Sequence, residues 1–502
     1  MYLHYVLQEI ADGKLAPLEL DALPTGLNAY YCRSWQRWRD DPRTGGRDRW
    51  KAFYKPLLCA LAAAQEPVDA SRLAAWCGLG GREDEIKELL EQAWRGFVTY
   101  QRRATAAGEV VRYQFLHPSL TRFVRGEAGE PSAHNTGGLS EQEMRFVREL
   151  KEGVQAAHRN IVAAMEAQCG GDWPRLAEAD DYVRRYLSAH LDAVDPALLY
   201  RIAAQDDRWA KAREAKEEGY TGYLNDLRIV RQRADAAGWA GLGRGIRCAL
   251  IESSIRALAG NVPPRLLGQL VQAGLWSGLR ALETARQVPD DEQKSEALAQ
   301  IAPHLDADLH GEALAAARAI GAEGSRADAL RDLAPHLSEP LRAEVLQEAL
   351  AAARAIGDEW GRASALRDLA PHLSEPLRAE VLQEALAAAR AIGAKGSRAD
   401  ALRDLAPHLS EPERNEVFVR LAQLARSHSN YFEPLMEVWQ AGRFAGLTFE
   451  AWQKVLTAFA SRPRSECVQS LVAVLPLIAH QGGQAAVDEF WAALRDVWRW
   501  WP

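Results

Sequence analysis

Ala329 to Gly357, twenty-nine consecutive residues, recur unchanged as Ala365 to Gly393, an offset of 36. A repeat of that period is one supersecondary unit copied. It cannot bury its apolar face alone, so neighbouring copies must stack. Within the unit, RADALRDLAPHL (Arg326 to Leu337) places apolar residues at helical spacing and ends on a proline–histidine step. Ser338 then reads as an N-cap, with Pro340 in the first turn where its missing N–H is no loss. Leu341, Val345, Ala349, Ala353 and Ile356 share one face of the following helix. Gly357 stands where a helix end accepts a left-handed residue. The unit is therefore a helix–turn–helix pair. His304, His336, His372 and His408 mark four copies of its APHL step, at spacings of 32, 36 and 36. More diverged copies extend upstream through Leu279–Ile301 and Arg244–Trp276, and helices continue downstream from Glu413, with breaks near 427–430, 462–463 and 481–483.

The remaining composition narrows the function classes. With 502 residues the chain exceeds one core and must divide. Its net charge of −7 gives no basic footprint for nucleic acid. No apolar run reaches the roughly 20 residues that cross a bilayer. The N-terminus lacks the pattern of a secretory signal. The six cysteines form no C-x-x-C pair, so they read as reduced, buried thiols of a cytoplasmic protein. Trp498, Trp500 and Trp501 make a dense aromatic terminus, read as the closing seam of a helical stack.

Before residue 127 the pattern changes. PLLCALAAA (Pro56 to Ala64) is followed by a second helix with Asp69 as its N-cap, then a third over Arg82–Arg95. Phe97 to Leu116 reads as a β-hairpin around a glycine-containing turn. Three helices and a hairpin outline a winged helix. Its third helix carries five acids against three bases, a net −2 that repels phosphate, although Arg102, Arg103 and Arg112 make the hairpin basic. The expected fold is mainly α, a winged-helix unit with a small β-hairpin followed by an α-solenoid of helix–turn–helix (TPR- or HEAT-like) repeats. The expected divisions are a helical remnant at 1–48, the winged helix at 49–126, a linker at 127–145, a helical connector at 146–243, repeats at 244–425 and a C-terminal helical cap at 426–502.

This order resembles the downstream half of STAND proteins, the signalling NTPases of the NACHT and NB-ARC type. LPTGLNAYY (Leu23 to Tyr31) is similar to the segment that leads into their winged helix. YQFLHPSLTRFV (Tyr113 to Val124) is similar to the segment that closes it. There a histidine approaches the β-phosphate of bound ADP, and His117 holds the matching position. DDYVRRYLSAHL (Asp180 to Leu191) and Asp206 to Leu227 resemble the helical stretch that follows, and the LRDLAPHL units resemble sensor repeats.

The resemblance lacks its catalytic half. No G-x-x-x-x-G-K-[ST] occurs, and the glycines at 78–81 and 241–245 are not followed by the lysine and hydroxyl that meet phosphates. No cofactor, metal or catalytic residue is expected. The histidine ladder cannot gather at one zinc, because rungs about 10 Å apart exceed ligand distances of about 2 Å. Asp332–His336 and Asp368–His372 are expected as i,i+4 pairs. Paired acids at 180–181, 206–207 and 290–291 serve helix starts.

The chain thus reads as a non-enzymatic binding, scaffold or sensor subunit of a bacterial signalling system, with defence as one setting. Its repeats would grip a protein or further copies of the chain, and its winged helix would dock on a P-loop NTPase or effector. The repeat helices around Arg342, Glu344, Arg378 and Glu380 are expected as the recognition surface. His117 would sense nucleotide only on such a partner. A transcriptional regulator, an enzyme and a decayed reading frame are the alternatives.

Overall fold

A computed structural model describes residues 27–105, 108–127, 139–425, 448–460 and 464–500. The chain divides into two compact units, Met1–Ile255 and Arg256–Pro502. It is mainly helical, with one small antiparallel sheet.

In the first unit, helix α1 (Leu27–Asp40) buries Tyr30, Tyr31, Cys32 and Trp35. A short turn at Gly46–Arg49 passes into a π-helical turn at Trp50–Tyr54 and then into α2 (Lys55–Ala63). Seven of the nine α2 residues are buried. Such a helix, apolar on all sides, belongs at the centre of a core rather than on its rim. Strand β1 (Val68–Asp69) precedes α3 (Ala70–Cys77), whose N-cap Asp69 accepts the Arg72 N–H at 2.8 Å, as its sequence position foretold. Helix α4 (Glu83–Glu88) runs on through a π-helical turn at Leu89–Ala93.

The hairpin β2 (Val98–Thr105) and β3 (Gly108–Phe115) pairs from Val98↔Phe115 to Thr105↔Gly108. The sheet order is β1-β3-β2, with Val68 opposite Tyr113. The third strand escaped the sequence because two residues are too few to show alternation.

Helices α5 (Pro118–Val124) and α6 (Glu141–Cys169) follow. Helix α6 starts inside the stretch 127–145 read as a linker. Ser140 and Glu143 close a capping box there, each satisfying the other's backbone N–H. Residues 128–138 of that stretch lie outside the described residues. The unit continues through α7 (Trp173–Ala179), α8 (Asp181–Val194), α9 (Pro196–Gln205), α10 (Asp207–Glu217) and α11 (Thr221–Ala236), and α12 (Leu242–Gly260) carries the chain past the division at Ile255.

Helix α6 packs along α2. A Cβ at Gly153 would stand 2.6 Å from Cys59 Sγ, so the crossing requires glycine. Gly153→Ala is expected to destabilise this unit by about 1–3 kcal/mol. The check is urea unfolding, in which an unchanged midpoint would show that the helices separate freely.

The second unit begins with α13 (Pro264–Gln272), α14 (Gly278–Gln287) and α15 (Asp291–Ile301). Next come α16 (Ala307–Arg318), α17 (Glu323–Leu333), α18 (Leu341–Ala355), α19 (Glu359–Leu369), α20 (Leu377–Ala391), α21 (Lys395–Leu405) and α22 (Glu411–Ala425). Helices α23 (Phe449–Ala460), α24 (Arg464–Ala473) and α25 (Leu475–Trp500) complete it. Each of α15, α17, α19 and α21 ends in a 3₁₀ turn formed by the APH step. Proline stops the α-helix there because it has no N–H for the i−4 carbonyl.

Helices α15, α17, α19 and α21 pack directly on one another. Equivalent residues have equivalent burial in each copy, as Leu330, Leu366 and Leu402 show at 1%, 1% and 0% exposed. Burying one such leucine is worth about 1.5–3 kcal/mol. The interleaved alanines let the helices come close enough for that burial.

Two local expectations fail in the repeats. Helix α18 begins at Leu341 with Pro340 as its N-cap, and Ser338 contributes its backbone carbonyl rather than its hydroxyl. At the matching place in the next copy but one, Glu413 replaces leucine. There Glu413 accepts both the Ser410 N–H and hydroxyl, and the helix starts at Glu411. Leucine cannot return that bond, so the first turn is lost. Gly357 is not left-handed either, since α18 ends on Ile356 at φ −59° and ψ 124°. The Arg362 guanidinium closes the end instead, donating to Ile356 O at 2.7 Å.

Candidate functional site

His117 is extended (φ −141°, ψ 139°) and caps α5. Its Nδ1 accepts the Ser119 N–H at 3.1 Å and lies 2.8 Å from the Ser119 hydroxyl. Ser119 Oγ is in turn 2.9 Å from Tyr31 Oη. An Nδ1 that accepts a backbone N–H carries no proton. The Ser119 hydroxyl therefore donates to it and receives the Tyr31 O–H. The proton of the neutral ring sits on Nε2, which has no hydrogen-bond partner among the described residues. The structure thus joins LPTGLNAYY to YQFLHPSLTRFV through one polar chain. Leu23 to Gly26 lie outside the described residues. The hairpin's Arg102 pairs with Glu109 and its Arg112 with Glu66, each at 4.0 Å.

A second polar chain lies deeper. His158 Nδ1 and His190 Nδ1 are 2.8 Å apart, His190 Nε2 is 2.9 Å from Tyr182 Oη, and the Gln65 N–H reaches that oxygen at 3.2 Å. The Gln65 N–H donates to Tyr182 Oη, and one proton is shared across each of the Tyr182–His190 and His190–His158 contacts, its direction following the tautomer. Both imidazoles are neutral. Burial, aided by the Arg125 charge, pushes His158 down to about 4. Burial, then His158 and Arg125, pushes His190 down to about 3.

Beside it, Asp226 is fully buried and accepts from Ser188 Oγ at 2.6 Å, Trp209 Nε1 at 2.8 Å and Arg213 Nη1 at 2.6 Å. Three helices, α8, α10 and α11, therefore meet on one carboxylate. These residues come from the two segments, Asp180–Leu191 and Asp206–Leu227, that carried the resemblance. Asp180 and Asp206 cap helix starts as expected.

On the repeats, Arg318 reaches Glu344 and Glu348, Arg354 reaches Glu380 and Glu384, and Arg390 reaches Glu416. Position 420, where the next glutamate would fall, is arginine, and Arg420 turns back to Glu416. Glu344 and Glu380, expected as recognition surface, are thus engaged between copies. Arg342 pairs with Glu339 at 3.9 Å and Arg378 with Glu375 at 2.8 Å. The expected Asp–His pairs do not form. Asp332 turns to Arg331 at 2.8 Å and Asp368 to Arg367 at 2.7 Å, because a guanidinium fork offers a carboxylate two donors where imidazole offers one.

Sequence reading missed two exposed apolar features. Trp360, 53% exposed, stands where the neighbouring copies carry Gly324 and Gly396. Trp239, Leu242, Ile246 and Leu250, at 89%, 50%, 51% and 63% exposed, line one side at the start of α12. Their spacing of three and four residues was the available signal.

All six cysteines are free, and burial pushes Cys32, Cys59 and Cys77 up to about 12. No group of three or more metal-ligating side chains occurs among the described residues. The side chains of Trp498, Trp500 and Trp501 lie outside the described residues. Among the described residues no single helix is long and apolar enough to cross a membrane. Cys467–Ala473 and Leu475–Asp496 are long and apolar enough only when taken together, and they are bent by 76°. Compared with known protein families and with curated protein sequences, the chain matches none.

Proposed function

We propose that this chain is a non-enzymatic protein-binding subunit, with an α-solenoid that grips a partner and a winged helix that docks on an effector. The observation that carries the reading is the unbroken 29-residue repeat, since copying a unit enlarges a surface without disturbing a fixed catalytic geometry. The exposed Trp360 and the Trp239–Leu250 stripe support it, because large unpartnered apolar side chains favour protein contact. The bacterial signalling or defence setting rests on the STAND resemblance alone.

The repeat also supplies the test. Deleting residues 357–392 removes one 36-residue period and leaves each remaining junction with its native sequence. Wild-type and shortened chains would be purified by affinity from cells that naturally produce the protein. A stoichiometric partner on the wild-type chain, weakened by the deletion at unchanged thermal stability, is the expected result. Recovery of both chains alone would sink the reading.

A second reading is favoured by the Tyr31–Ser119–His117 chain, which leaves His117 Nε2–H as a donor for phosphate. There the missing P-loop half is another polypeptide. A P-loop protein that co-purifies and releases ADP faster from His117→Ala would support it, and an unchanged release rate would remove it. For a transcriptional regulator the third helix's net −2 and the ion pairs of Arg102 and Arg112 are unfavourable.

A further inference from the structure

A cleft of about 280 Å³ opens in the first unit between α2, α3 and α6. Ala60, Gly153, Ala156 and Ala157 line it. Its volume is at the small end of ligand pockets. Trp76 and Cys77 close one side, and the Trp76 ring is held by Tyr182 at 5.2 Å.

The rim is polar and has a sign. Lys51, Lys55 and Glu149 are its polar lining at one end, and Asn160 lies about three turns further along α6. Lys55 is neutralised by Glu149 at 3.0 Å. Lys51 has no acidic partner among the described residues, so the rim carries one uncompensated positive charge. Lys51 sits in the π-helical turn Trp50–Tyr54, immediately before α2. Such turns insert a residue into a helix and recur at functional positions. Here the turn leads directly into Lys55, so both ammonium groups belong to one rim.

We propose that this cleft binds a small monoanion with an apolar body, a carboxylate that meets Lys51 while its tail runs along the cleft past Ala60 and Ala156 towards Trp76 and Cys77. A cation would face the surplus charge, and a neutral alcohol would leave it unused. The proposal is independent of the repeats and of His117.

The probes are octanoate, octanol and octylammonium, titrated calorimetrically into the full chain at millimolar concentration. Octanoate is expected to bind at one site per chain, and octylammonium not to bind. Lys51→Ala, at an exposed residue, is expected to weaken octanoate about tenfold and leave octanol unchanged. Ala156→Leu fills the cleft and is expected to abolish octanoate binding, with thermal melting confirming that the variant folds. Equal affinity for octanoate and octanol, or unchanged octanoate affinity in Lys51→Ala, would overturn the anion assignment. Binding that survives in folded Ala156→Leu, or no saturable binding by the wild type, would overturn the site. Should Ala156→Leu not fold, the Lys51→Ala comparison decides alone.

Discussion

Asp226→Ala is expected to destabilise the first unit by about 3–5 kcal/mol, the cost of leaving a buried charge without its partner. Arg213 is 3% exposed, and its remaining partner is Glu217, at 2.9 Å. Ser188 Oγ and Trp209 Nε1 would lose their acceptor as well. Replacing Asp226 and Arg213 together by leucine and methionine should cost much less than Asp226→Ala, because desolvation of both ions disappears with the pair. Urea unfolding of wild type, single and double variants gives the comparison. A single variant no weaker than the double would show that Asp226 is not paired as described. Because the chain has two units, the transition must be assigned to the first one, for example by hydrogen exchange in α8 and α11.

The second large effect is on pH. His158 and His190 are neutral in the folded chain, with values of about 4 and 3, whereas an unfolded histidine titrates near 6.5. Below 6.5 the unfolded state therefore binds more protons than the folded one. Stability is full above about pH 6.5 and falls as pH drops towards 4, by about 1.4 kcal/mol per pH unit for each histidine. A nearly two-proton slope is expected between pH 6 and 4.5 in unfolding experiments on the first unit. Acidic groups held low by ion pairs, such as Asp40, add to it only at the lower end, while buried Asp226, pushed up by desolvation, acts in the opposite sense. The double variant His158→Phe, His190→Phe should lose most of the slope. A wild type with flat stability across that range would show that the pair already carries a proton.

How far these results could be read in advance differs by region. The repeats were legible because their information is local. Apolar spacing, the APH step and identity between copies give helices, turns and stacking without reference to distant residues. The Asp69 cap and the hairpin were legible for the same reason, with every deciding residue within a few positions. The Ser338 cap failed because it depends on Leu341 three residues on, a position that returns the bond in the Glu413 copy alone. Gly357 failed because a guanidinium from the next helix, Arg362, closed the end before a left-handed residue was needed.

The polar centres lay beyond sequence reading. His158 is 32 residues from His190, and Ser188 is 38 from Asp226. Nothing in either segment marks them as partners, and DDYVRRYLSAHL by itself looks like a surface helix with caps. His117 was singled out from the resemblance, but its tether to Tyr31 spans 86 residues of sequence and depends on Ser119 as a bridge. The cleft beside α2 is lined by small residues on separate helices, each an ordinary core alanine or glycine when read alone.

By itself the sequence determined helix periodicity, the copied unit, the hairpin and the missing phosphate-binding motif, because each is written within a few dozen consecutive residues. The tertiary structure alone decided which charges are paired, which imidazoles stay neutral and where a cleft remains. Those properties depend on burial and on distances between residues far apart in the chain, which local spacing does not encode.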